Sequence, residues 1–275
     1  MAIASREVAH RVVFGLSLGL LMAPTVFFFY WMISLSLKTD VESLAYPPVL
    51  IPRALTLANY AYVFANSPLP RFAINSVIVA VGSTGLSLLL GIPAGYGIAR
   101  SHRYGTALLI LVARMTPALS YLIPWFLLFQ ELGLANTYQA LILTHLIIGL
   151  PLVIWVMIGF FEGVPLELED AALIDGCSRF GSFLRVAVPL TRPGIVVSGI
   201  LAFIFSWNNF IFAVVLAGPR LQTLPVAVFS MMSFEQTNWG PLAAAALLIT
   251  APVLILTMTV QRDIVAGLAA GGMKG

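Results

Sequence analysis

Six long apolar runs are strung along the chain, at about 12–37, 72–99, 106–129, 138–161, 194–216 and 241–260. Each is near the roughly 20 residues that carry an α-helix across a bilayer, so the pattern predicts six transmembrane helices and no sizeable domain outside the membrane. Arg6 and Arg11 precede the first run, as they would in a signal peptide. That run is too long for the apolar core of such a peptide and ends without a small-x-small cleavage site, so it reads as a retained first span. Between the runs lie a Pro-rich polar stretch at 38–71, a basic turn at Arg100-Ser101-His102-Arg103, a short connector at 131–137 and a longer one at 217–240.

The connector at 162–193 has a different character, being a charged, helix-forming island. Pro165 suits the first turn of a helix, where its missing N–H costs nothing, and Glu167, Glu169 and Asp170 follow at the positive end of the helix dipole. Gly176 supplies the stop. A second short helix is expected over 178–188, with Pro189 breaking it. A folded, amphipathic loop between two membrane runs is a docking surface for a soluble partner.

Composition narrows the classes further. Of the 275 residues, 60% are hydrophobic and 9% charged. A soluble domain carries about 25% charged residues, so this is an integral, multi-pass membrane protein. The pI near 9.2 does not mark a nucleic-acid binder, because the basic residues are scattered among loop ends. With an even number of spans both termini share one side. If that side is the cytoplasm, nine basic residues lie inside: Arg6, Arg11, Arg100, Arg103, Arg179, Arg185, Arg192, Arg262 and Lys274. Only four, Lys38, Arg53, Arg71 and Arg220, are left outside, which predicts an N-in, C-in topology and a cytoplasmic island. The single cysteine, Cys177, excludes an internal disulfide and any Cys-based metal site, and no metal is expected.

Within the second run, Gly91 and Gly95 form a small-xxx-small pair with Pro93 between them. Two uses stay open: tight packing inside the subunit, or a helix that bends against a partner subunit. Asp and Glu are nearly absent from the runs and no inverted repeat is found, which weighs against an ion-coupled secondary transporter. An intramembrane enzyme would need convergent catalytic groups at depth, and only His145 is available. His145 reads as a satisfied packing residue rather than a proton relay.

Asp170-Ala171-Ala172, three residues, Gly176, nine residues and Val186-Ala187-Val188-Pro189 together resemble the EAA loop of ABC-importer permeases. The family pattern is Glu-Ala-Ala, three residues, Gly, nine residues, Ile-x-Leu-Pro, and Asp175-Gly176 matches the form common in carbohydrate importers. Asp170 departs from the family's Glu, with Glu169 just before it, so either carboxylate is a candidate for the partner contact. The resemblance covers nearly the whole chain. Ser36-Leu37-Lys38-Thr39, Leu57-Ala58-Asn59-Tyr60 and Asn75-Ser76 resemble the first external loop and second span of G-type maltose permease subunits. Arg114-Met115-Thr116-Pro117, Ile123-Pro124, Ser206-Trp207-Asn208-Asn209-Phe210 and Thr223-Leu224-Pro225 resemble their later spans. Gln261-Arg262 and the Gly267–Gly275 tail are similar to their ending.

The resemblance, to carbohydrate importers of the maltose/trehalose type, implies an all-α, type I ABC-importer permease fold with six spans and a cytoplasmic coupling helix. It implies a bacterial cytoplasmic-membrane subunit paired with a second, related permease, two ATP-binding cassette subunits and an external sugar-binding protein. The chain has no Walker A motif, so ATP and Mg would sit on the partner ATPase subunits and this chain would be neither an enzyme nor a cofactor holder. Coupling contacts would come from Glu167, Glu169, Asp170, Ala171, Ala172, Asp175, Gly176, Arg179 and Pro189. The tail, through Gly267, Gly271 and Lys274, would insert between the ATPase subunits. The outer loop, with Met231, Met232, Phe234 and Trp239, would reach the binding protein, unless Phe234 and Trp239 form an interfacial aromatic belt. Sugars stack on aromatic faces and hydrogen-bond to amides, which makes Asn75, Tyr121, Trp207, Asn208 and Asn209 the substrate-path candidates. Trehalose or maltose is the leading cargo; a non-sugar solute such as glycerol 3-phosphate is the open alternative.

Overall fold

The computed structural model describes residues 2–232 and 238–272, with side chains over 10–117, 119–232 and 238–259. Among them there is no strand. In chain order, α1 is Ala2–Ser36, α2 Asp40–Ser43, α3 Ala58–Asn66, α4 Leu69–Ser101, α5 Tyr104–Met115, α6 Leu122–Glu131 and α7 Tyr138–Glu162. Then come α8 Leu166–Ile174, α9 Arg179–Ser182, α10 Val188–Leu190, α11 Arg192–Trp207, α12 Ile211–Leu216, α13 Leu224–Ser230 and α14 Trp239–Gly272.

Four helical stretches are long and apolar enough to cross a membrane: His10–Ser36, Leu69–Ser101, Tyr138–Glu162 and Trp239–Thr259. Two more candidates are bent, Tyr104–Met115 with Leu119–Glu131 at 81°, and Arg179–Leu190 with Arg192–Trp207 at 75°. The chain is thus an all-α membrane protein with up to six apolar crossings.

The third and fifth apolar runs, 106–129 and 194–216, are not single helices. In the third, Thr116 turns extended (φ −61°, ψ 126°) because the following Pro117 disfavours helical backbone at the residue before it. In the fifth, α11 stops at Asn208, whose Nδ2 donates to the Ile204 carbonyl at 2.9 Å, while Asn209 Oδ1 accepts the Phe212 N–H at 3.3 Å. Short amides that bond nearby backbone compete with helix continuation and cap its loose ends.

Pro189 does not end the second island helix. A π-turn at Phe183–Ala187 joins α9 to α10, and the Val188 N–H still bonds five residues back to Phe183. By Thr191 the spacing is four, to Ala187 at 3.1 Å. The change of spacing falls where Pro189 has no N–H to place.

The chain divides into two compact units. One comprises residues 1–69 and 228–250. Here the stretch 38–71 is folded rather than loose. Tyr30 Oη and Ser34 Oγ both donate to the Leu50 carbonyl at 2.8 Å, and Asn59 Nδ2 donates to the carbonyls of Ser36 and Lys38 at 3.0 and 2.8 Å. Lys38 is buried, its ammonium donating to the Val49 carbonyl and lying 4.2 Å from the Trp31 ring centre. Burial holds its pKa below the ordinary lysine value, with Glu42 opposing that shift.

The other unit comprises 70–227 and 251–275, and α7 is its centre. Thr137 caps its start by accepting the Ala140 N–H, and buried residues run its length from Ala140 to Phe161. Toward one end Val153, Ile154, Met157 and Phe161 pack with Ile98, Phe183 and Ala202; toward the other Ala140 and Leu141 pack with Val79, Phe129 and Phe212. Gly91 and Gly95 let α4 lie directly on α7. A Cβ at Gly95 would meet the Met157 Cβ at 2.9 Å and the Ile154 carbonyl oxygen at 3.2 Å. The small-xxx-small pair is therefore used inside the subunit.

Candidate functional site

The charged island folds as α8 followed by α9. Pro165 occupies the N-cap position of α8, and Glu167 and Glu169 lie in its first turn. At its end Gly176 takes φ 89°, a left-handed conformation that glycine adopts without a steric penalty. The N–H of Gly176 bonds the Leu173 carbonyl at 3.1 Å and that of Cys177 bonds Ala172 at 2.9 Å, the paired bonds of a Schellman stop. Ser178 then caps α9 by accepting the Gly181 N–H at 3.0 Å.

Two carboxylates adjacent in sequence meet opposite fates. Asp170 is exposed, whereas Glu169 is buried. Arg100 Nε and Nη2 donate to Glu169 Oε1 at 2.9 and 2.5 Å, and Tyr96 Oη donates to Oε2 at 2.5 Å. Arg100 Nη2 also donates to the Val164 carbonyl at 3.2 Å, and Ser182 Oγ to the Glu169 carbonyl at 3.4 Å. The Tyr96 ring lies 5.3 Å from that of Phe161 and 4.7 Å from that of Phe183. From the sequence alone Arg100 marks only sidedness, and Tyr96 carries no signal of its own. Their four-residue spacing at a span end, which puts both on one helix face, was the available signal.

The outer surface of the island is acidic and apolar together. Glu167, Asp170, Ala171, Asp175, Gly176, Arg179 and Pro189 are exposed, and Ala172 is half-buried. Ile174 is 86% exposed and Phe180 69%, which adds apolar area to this acidic surface.

The residues expected along a substrate path are each engaged with neighbours in the fold. Asn75 is buried with its amide engaged on both sides: Nδ2 donates to the carbonyls of Arg220 and Gln222 at 3.0 and 2.8 Å, and Oδ1 accepts from Tyr138 Oη at 2.7 Å. Tyr121 stacks on Phe212 at 6.2 Å, and the buried Trp207 stacks on Phe203 at 5.6 Å. Asn208 and Asn209 serve the helix break already described. His145 is buried, its Nδ1 2.7 Å from Ser206 Oγ, which accepts in turn from Ser83 Oγ at 2.9 Å.

In the first unit, Met231 is half-buried, while Met232 and Trp239 are exposed and line an apolar cavity of about 530 Å³ together with Phe28 and Trp31. Phe234 and Lys274 lie outside the described residues. Gly267 and Gly271 belong to α14, which continues past the expected tail boundary to Gly272.

Residues 87–268 match the family described as binding-protein-dependent transport system inner membrane component. The chain is 38% identical over 261 residues to a sulfoquinovosyl glycerol transport system permease protein of Agrobacterium fabrum, covering 94% of this chain and 92% of that one. It is 36% identical over 278 residues to a trehalose transport system permease protein of Mycobacterium tuberculosis, covering 99% of each. Its fold is similar to a chain in the crystal structure of a bacterial ABC transporter that imports the acidic polysaccharide alginate, with a TM-score of 0.79, 19% identity, and coverage of 94% of this chain and 97% of that one.

Proposed function

Because this chain belongs to the inner-membrane components of binding-protein-dependent transport systems, we propose that it is a permease subunit of an ATP-driven sugar importer, coupled to its ATPase through α8. The observation that carries this reading is the exposed acidic and apolar surface of α8 and α9, closed by Gly176 at the spacing of the EAA loop. ATP binding closes two partner ATPase subunits, α8 moves with its socket, and the bundle rocks between inward-facing and outward-facing states. Asp170, Glu167 and the exposed Ile174 are the groups offered to that socket. In this reading both termini are cytoplasmic, a second permease completes the pathway, and an external binding protein delivers a disaccharide of the trehalose or maltose type. Relatives named as permease proteins of trehalose and sulfoquinovosyl glycerol transport systems support a glycoside cargo over glycerol 3-phosphate. The end of α14 reaches the ATPase, and the segment around Met232 and Trp239 reaches the binding protein.

The test is Gly176→Pro in the reconstituted transporter. Proline cannot take a φ of 89°, so the stop of α8 is lost while the spans still insert. Transport is expected to vanish with membrane levels unchanged, and normal uptake would retire the assignment. Sidedness is checked separately by thiol labelling of Cys177, expected from the cytoplasmic face only. Titration of the cognate binding protein with trehalose, maltose and glycerol 3-phosphate identifies the cargo.

A further inference from the structure

The nine-residue α8 is joined to α7 through a turn at Gly163 and to α9 through one at Gly176. Such turns let a short helix swivel, so a pull on α8 would dissipate there unless something bypasses them. The knot at Glu169 is that bypass. Its carboxylate is held by two residues one turn apart on α4, and the Arg100 guanidinium spans from Glu169 to the Val164 carbonyl on the near side of the turn. Side-chain exposures of 16% for Arg100 and 8% for Glu169 keep the pair out of bulk water, where an ion pair would be loose. From α4 the path continues without slack, since Gly95 lies against Met157 and the Ile154 carbonyl of α7.

We propose that Tyr96, Arg100 and Glu169 are positioning residues that make α8 and the end of α4 one moving body, leaving Asp170 as the acidic group presented to the ATPase. This rests on the coupling role proposed for α8. Glu169 is consumed inside the subunit, so the two neighbouring carboxylates divide the work: one ties inward and one docks outward.

The experiment uses the full transporter in proteoliposomes, with Cys177→Ser as background and spin labels at Ser101 and at Leu168, an exposed α8 position outside the groups offered to the socket. The distance between the labels is measured without nucleotide and after trapping with ATP and vanadate. With the knot intact the distance is expected to be the same in both states, because both labels ride on one body. With Arg100→Gln that independence is expected to be lost, the distribution broadening and shifting on trapping, and Arg100→Lys is expected to restore it in part. Binding-protein-stimulated ATP hydrolysis should fall about tenfold in Arg100→Gln. If Arg100→Gln does not accumulate, Tyr96→Phe removes a single hydrogen bond and should show the same change in smaller degree. A distance that changes with nucleotide in the parent, or one that stays fixed in both Arg100→Gln and Tyr96→Phe, overturns the proposal. Asp170→Arg reports on the coupling reading independently: it is expected to prevent co-purification of the ATPase, and normal assembly and transport in that variant would remove α8 as the contact, whatever Arg100 does.

Discussion

Helix α4 carries two polar knots built from different chemistry. At its end, Arg100 and Tyr96 hold the carboxylate of Glu169. Deeper in the same helix, Ser83 donates to Ser206, which contacts the His145 imidazole. The two knots are separated by 17 positions, about 25 Å along the axis, and Ser83 falls near the middle of the apolar run at 72–99. Full charges sit where the helix meets the interface, and hydroxyls with one imidazole serve where desolvation of an ion would cost most. Placement follows the local cost of burial, and the strength of each knot should follow it too.

That ranking can be broken by measuring unfolding in detergent. Glu169→Ala leaves the half-buried Arg100 without its counter-charge and should cost about 3 kcal/mol, the low end for a desolvated pair. A loss below about 1 kcal/mol, the range of exposed pairs, would mean the charged knot is effectively solvated. Gly95→Leu, which strains the packing beside the knots without touching either, should cost about 1–3 kcal/mol. Ser206→Ala removes the shared partner of Ser83 and His145 and should cost about 1 kcal/mol. Were Ser206→Ala to cost more than Glu169→Ala, the ordering of the two regions would be reversed. Asp170→Asn, next door to the strong knot but exposed, should change stability by no more than about 0.5 kcal/mol.

Much of this architecture was legible in the order of residues. Apolar length marked where helices lie, and Pro165 and Gly176 bracketed α8 because proline has a fixed φ suited to a helix start and glycine alone takes a left-handed stop without penalty. The breaks at Thr116 and Asn208 were harder to read. Hydropathy does not register the backbone preference of a residue before proline or the capping habit of an amide. Glu169 and Asp170 illustrate the remaining gap. They are alike in charge and adjacent in sequence, and only the placement of Tyr96 and Arg100, about 70 positions away, decides which turns inward. Asn75 was legible as polar but not as saturated, since its partners at Arg220 and Gln222 are brought in by the fold.

The first helix has a consequence of its own. Its apolar stretch His10–Ser36 spans 27 residues, and its most apolar window has no side chain buried within the chain. At 1.5 Å per residue that is about 40 Å, against roughly 30 Å of hydrocarbon. Its hydrogen-bonded anchors in this chain, from Tyr30 and Ser34 to the Leu50 carbonyl and at Ser36 from Asn59 and Tyr60, lie near one end. The remainder behaves as a spar clamped at its foot, whose lean is set by bilayer thickness and by whatever neighbour lies alongside. A thicker membrane is expected to stand it more upright and a thinner one to lay it over, which would give lipid composition a handle on this subunit.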